Sequence, residues 1–176
     1  MPTRKDHIIQ FVGLSTGQHE FEFDIKDKFF EDYNYSEIKQ GAIQVGLTLL
    51  KQSTMMVLHF KINGTVKQDC DRCTAPLDLP IMGNYKLIVK VGGSDTGNED
   101  DDIITIPANE HELDLTQYIY EYIALSLPIK RVHPDNKKGE SSCDKKMLKK
   151  LERFLLEEEK EETDPRWNGL KNIKLN

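Results

Sequence analysis

The sequence predicts an α+β fold: an antiparallel sheet or partly closed β-barrel with C-terminal helices. Two observations carry that prediction. Apolar residues recur at period two in the first half of the chain, and the period switches to a helical one after Asp114. No strand–helix–strand alternation separates the halves, which sets the sheet apart from the parallel kind.

Taken in order, residues 19–25 (HEFEFDI) put Phe21, Phe23 and Ile25 on one face and Glu20, Glu22 and Asp24 on the other, a half-buried strand. Residues 26–34 read as a short helix or turn. In 42–50, Ile43, Val45, Leu47 and Leu49 alternate inward, and in 55–62 Met56, Leu58, Phe60 and Ile62 do the same. Lys51–Thr54 turns between them, giving an antiparallel hairpin. Asn63-Gly64 reads as a tight turn or a bulge. Strand character resumes at Thr65 and runs into Cys70, and Tyr85, Leu87, Val89 and Val91 form a further strand after Pro80. The Gly-rich acidic stretch 92–102 is read as a loop, and 102–106 as one more short strand.

From 114 to 128, Leu115, Tyr118, Ile119, Tyr122, Ile123 and Leu127 share one helical stripe, with Asp114 as N-cap and Pro128 as the stop. Residues 129–143 read as irregular. A second helix from Asp144 carries Met147, Leu148, Leu151, Phe154 and Leu155 inward and ends in the solvated run EEEKEE (157–162). Asp164-Pro165 opens a short last helix with Trp167, Leu170 and Ile173 on its apolar side. The expected organisation is a mainly antiparallel β domain over 1–128 that ends in a core helix. Residues 129–176 then pack on the same domain.

The chain has 176 residues, 38% hydrophobic and 31% charged, with a net charge of −6, a composition suited to a sizeable globular core. Acidity excludes a large global basic footprint for nucleic acid, so direct RNA binding requires a local patch. It suits a basic protein partner equally well. Three cysteines cannot all pair within one chain, no signal-peptide pattern opens the sequence, and no apolar run approaches the roughly 20 residues of a membrane helix. A cytosolic location is expected. There is no nucleophile elbow, P-loop or dinucleotide fingerprint. No catalytic residue and no small-molecule substrate are expected. The carboxylate run Glu99–Asp102 lacks the spacing of a calcium loop.

Cys70 and Cys73 stand within one turn of each other, and two thiolates at that spacing can share one tetrahedral ion. A pair does not fill four positions. Cys143 and one histidine are the candidates for the rest, and His133 lies ten residues before Cys143 in a stretch poor in apolar residues. A Cys₃His zinc from Cys70, Cys73, His133 and Cys143 would give that stretch something to fold around. Three readings stand side by side: free thiols without metal, a structural zinc, and a redox C-x-x-C. The redox pattern fits poorly, because the pair ends a strand rather than opening a helix. Thr74 occupies the position where zinc knuckles often carry glycine. His7, His19, His59 and His111 read as ordinary strand or loop residues.

A strand ending in Cys70-Asp71-Arg72-Cys73 is followed by an acidic loop. Next come Asp114-Leu115-Thr116 leading a helix that closes with Leu125-Ser126-Leu127-Pro128, then His133, Cys143 and Asp164-Pro165-Arg166. This succession resembles the YceD family of large ribosomal RNA subunit accumulation proteins of bacteria and plastids. The likeness covers about residues 40–175, with Cys70, Arg72 and Cys73 as its most specific element. It implies a bacterial, non-enzymatic factor supporting large-subunit ribosomal RNA accumulation and ribosome biogenesis. Its partners would be the ribosomal RNA precursor or ribosomal proteins. A metal- or thiol-dependent enzyme and a general protein-interaction module are the alternatives. Arg72, Lys130, Arg131, Lys137 and Lys138 are candidate phosphate contacts around His133, against the simpler reading of a solvated loop. Trp167 is a candidate docking residue, against simple packing on the core.

Overall fold

Alternation of apolar and polar side chains builds one open sheet. In the computed structural model, which describes residues 4–92, 102–136 and 139–157, a short 3-10 turn (Arg4–His7) leads into β1 (Ile8–Ile9). Then follow β2 (Gly17–Ile25), α1 (Asp27–Phe30), β3 (Gln40–Lys51), β4 (Met55–Asp69), β5 (Pro76–Val91), β6 (Ile103–Ile106), β7 (Leu113–Asp114), α2 (Thr116–Leu125) and α3 (Lys145–Glu157). β2 to β6 lie side by side in chain order, and β1 pairs with β7 in a separate two-stranded ladder. β2, β3, β4 and β5 are antiparallel neighbours, whereas β6 joins β5 in parallel over Ile88–Val91. Of the two forms predicted, the open sheet is the one observed, with β2 and β6 at its edges.

The inward residues are the expected ones: Ile43, Val45, Leu47 and Leu49 of β3 and Met56, Leu58, Phe60 and Ile62 of β4 are buried. α2 covers that inner face. Its Ile119 and Ile123 are fully buried, and Tyr122 stacks on Tyr85 of β5 at 4.5 Å while meeting Phe60 edge-on at 5.0 Å. The N-cap is Leu115, one residue later than the expected Asp114, and its side chain makes no capping bond; Asp114 Oδ1 still accepts the Thr116 N–H at 2.9 Å. The helix ends at Leu125, three residues short of Pro128. There the Ser126 hydroxyl donates to the Tyr122 carbonyl at 2.7 Å and takes up a carbonyl of the last turn.

Asn63-Gly64 corrects one expectation. It is neither turn nor bulge: β4 runs straight through it, with Asn63 opposite Gln44 and Gly64 opposite Ile43. The glycine serves close approach of two backbones. A Cβ there would strike the Ala42 carbonyl oxygen and sit 2.6 Å from Ile43 Cα. Pro80 lies within β5 without breaking it, because β6 pairs only with the far end of β5 and leaves this stretch an edge.

The chain divides into two compact units, Met1–Asp69 with Pro76–Arg131, and Cys70–Ala75 with Val132–Asn176. The first holds the sheet and α2; the second holds α3. In α3, Met147 and Leu148 are half-buried, but Leu151 is 37% and Phe154 68% exposed, so the expected inward stripe holds for the first two and not for these; the Leu155 side chain lies outside what is described. Met147 and Leu148 have the buried thiols to pack on, and one turn further along no such cluster is found among the described residues. The expected loop between Gly92 and Asp102 falls almost entirely outside the described residues. So do the run 157–162 beyond Glu157 and the helix opened by Asp164-Pro165.

Candidate metal centre

The segment Cys70–Ala75 folds into a tight knuckle. The Thr74 N–H donates to the Cys70 carbonyl at 2.8 Å, and the Cys70 N–H to the Ala75 carbonyl at 3.0 Å. Closing it requires a left-handed residue after the second cysteine, and Thr74 takes that role with φ +57°, a rare state for a β-branched residue. Its hydroxyl donates to the Cys73 carbonyl at 2.7 Å and helps hold the turn. Glycine is the residue usually found at such a position, and threonine adopts the same backbone here.

The irregular 132–143 segment is organised by short polar bonds. Asp135 and Ser141 form an isolated antiparallel bridge, and the Asn136 N–H donates to the Glu140 carbonyl at 2.7 Å. Arg72 Nη1 donates to the Ser141 hydroxyl at 3.1 Å, and that oxygen also accepts the Cys143 N–H at 3.2 Å. Asp144 begins α3, its Oδ1 accepting the Lys146 N–H at 2.7 Å. Cys143 is thereby fixed immediately before a capped helix.

These elements bring Cys70, Cys73, His133 and Cys143 together, with one potential ligand atom from each lying within 4.8 Å of the others. All three thiols are free and buried, and His133 is half-buried. Cys70 Sγ is 3.8 Å from Cys143 Sγ, His133 Nδ1 is 3.5 Å from Cys73 Sγ, and the same nitrogen is 3.8 Å from Cys143 Sγ. A disulfide needs about 2.05 Å. A tetrahedral zinc with bonds of about 2.3 Å to sulfur and 2.05 Å to nitrogen separates sulfurs by about 3.8 Å, and sulfur from nitrogen by about 3.6 Å. The three separations given above match that ion, and the remaining ones lie within 4.8 Å.

The electrostatics favour thiolate. Burial pushes the Cys70 thiol up, but hydrogen bonds from the backbone at Arg72, Cys73 and His133 and from the His133 side chain outweigh it, bringing its pKa down to about 6. Such a sulfur accepts a metal with little proton to displace.

The described candidate cations divide between the units, Lys130 and Arg131 in the first and Arg72 in the second. Arg131 Nη1 donates to Glu37 Oε2 and to Gln68 Oε1, each at 2.9 Å, within the sheet unit. Lys130 is exposed, and Arg72 is engaged with Ser141. Lys137, Lys138 and Trp167 lie outside the described residues. Sequence reasoning overlooked the lysines of α3, although their spacing at KKxxKK was readable. It also took Thr74 as a departure from the knuckle, when its backbone completes one.

An α+β protein with a buried Cys₃His cluster in a small second unit is the class that fold and site define. The family model described as large ribosomal RNA subunit accumulation protein YceD matches residues 58–174, more than half of the chain, and the chain belongs to that family. The match opens within β4 rather than near residue 40, and it includes all four clustered residues. The family name implies a part in large-subunit ribosomal RNA accumulation. Neither a curated protein nor a solved structure gives a match. No helix among the described residues is long and apolar enough to cross a membrane.

Proposed function

We propose that the protein is a non-enzymatic, cytoplasmic factor that supports accumulation of large-subunit (23S-type) ribosomal RNA, and that its smaller unit folds around one structural Zn²⁺. Membership of the YceD family carries the first half of this reading. The second half rests on the donor set: Cys70, Cys73 and Cys143 through Sγ and His133 through Nδ1, all within 4.8 Å of one another and with the Cys70–Cys143, Cys73–His133 and Cys143–His133 separations at tetrahedral-zinc values. When bound, the ion supplies a cross-link among otherwise weakly packed segments. Four protein donors leave no position for a water or substrate, which argues against hydrolytic use of the cluster. Burial of all three sulfurs argues against thiol exchange with a partner.

The ribosomal RNA precursor or proteins of the large subunit are the partners this reading expects. Sedimentation of the tagged protein through a low-salt gradient tests it. Co-migration with large-subunit precursors is expected, together with a fall in large-subunit ribosomal RNA when the protein is depleted. Recovery only in ribosome-free fractions, with ribosomal RNA unchanged on depletion, overturns it.

A further inference from the structure

In an acidic chain, α3 carries an unusual charge pattern. Lys145, Lys146, Lys149, Lys150 and Arg153 are all exposed, and Glu152 is the single carboxylate among residues 145–153. At about 100° per residue, Lys145, Lys149 and Arg153 form one row, with Lys146 and Lys150 in the row beside it. The two rows make a continuous cationic arc roughly 12 Å long, using about 1.5 Å of rise per residue. Met147, Leu148, Leu151 and Phe154 lie on the remaining face.

A merely solvated helix would interleave opposite charges at i and i+4. Here the i, i+4 pairs Lys145–Lys149, Lys146–Lys150 and Lys149–Arg153 are like-charged, and the one opposite charge at that spacing in α3 is Glu157, four positions after Arg153 at the end of the arc. Two lysines also stand in the first turn, where the helix dipole favours anions and no acidic residue is present. None of the five side chains forms an ion pair among the described residues, where Arg131–Glu37 is the one found. These like-charged neighbours oppose helix stability, and the Asp144 cap offsets them only at the first turn, which points to an anion outside the described chain.

We propose that this arc binds the phosphate backbone of RNA. The assignment rests on the proposed ribosomal role and names the surface that would carry it. Lysines at near-regular spacing suit phosphates as point charges, without reading sequence. An anionic membrane surface is the competing occupant of a basic amphipathic helix. It is disfavoured because Met147 and Leu148, half of the face that would enter lipid, are already packed against the cysteines, which leaves only Leu151 and Phe154 of that face exposed. The cluster also fixes the orientation of the arc within its unit, since Cys143 immediately precedes the capped start of α3.

The test uses the full-length protein with an RNA duplex of about 20 base pairs and, separately, vesicles containing phosphatidylglycerol. With five phosphates contacted, affinity for RNA should fall roughly 500-fold between about 50 and 200 mM salt. The triple variant Lys146→Glu/Lys149→Glu/Lys150→Glu should bind RNA at least about 30-fold more weakly and lower the salt slope by 2 to 3, with metal content and thermal midpoint unchanged. A variant of equal charge change on the outer face of the sheet, Lys61→Glu/Lys86→Glu/Lys90→Glu, should weaken binding by less than about 5-fold. RNA binding unaffected by the α3 changes, no weaker than in the sheet variant, or replaced by vesicle binding overturns the assignment. Depletion separates this surface from the ribosomal role. If depletion lowers large-subunit ribosomal RNA and the α3 variant restores it fully, the surface is wrong and the role stands. If the arc binds RNA but depletion leaves ribosomal RNA unchanged, the role is wrong and the surface stands.

Discussion

In the larger unit, Phe60, Leu58, Leu87 and Val89 from the sheet meet Ile119, Tyr122 and Ile123 from α2, and the fold is held by ordinary apolar burial. In the smaller unit the buried cluster is Cys70, Cys73 and Cys143, flanked by Ala75, Val132, Met147 and Leu148. Three polarisable sulfurs beside an imidazole are a poor substitute for a hydrocarbon core, and the surrounding segment has hardly any regular structure. With the proposed zinc in place, the chain would rely on two kinds of cohesion. Burial scales with area and suits a broad sheet, whereas coordination concentrates stabilisation in four atoms and suits a short irregular loop.

The sharpest way to separate the two is to deny the smaller unit its proposed zinc. Structural zinc sites contribute on the order of 10 kcal/mol, so chelation, or Cys143→Ser, should abolish hydrogen-exchange protection of the Thr74 and Leu148 amides, which now donate to Cys70 and Asp144. Amides of the β3–β4 ladder should stay protected. Uniform loss across both units, or no loss in either, breaks the comparison. The reciprocal change is Phe60→Ala, which should cost about 3–5 kcal/mol in chemical denaturation of the sheet unit and leave metal content as it was. A smaller effect is expected at Thr74. Thr74→Gly relieves its left-handed backbone and should stabilise the metal-loaded protein by about 1 kcal/mol. A loss of that size instead would show that the hydroxyl bond to Cys73 outweighs the strain.

The sequence was most legible where a single period governs the environment. Alternation located β2 to β5 because one face of the sheet is buried, and the stripe from Leu115 to Ile123 located α2. It misled where a residue answers to a neighbour distant in sequence. Gly64 looks like a turn, but it is small because Ala42 and Ile43 press against it from β3. The parallel pairing of β6 with β5 is a relation between strands that no local pattern encodes. Leu151 and Phe154 have helical spacing, yet spacing does not say how far a partner extends along the helix. For the metal centre, residue chemistry proposed Cys70, Cys73, His133 and Cys143, and the fold supplied their proximity. The left-handed state of Thr74 was hidden because threonine seldom signals it.

Native mass spectrometry of the full chain purified without chelator tests the central claim most directly. One zinc per chain is expected, lost in Cys143→Ser. A folded protein that carries no metal, with the residues from His133 to Cys143 still protected from exchange, would contradict it.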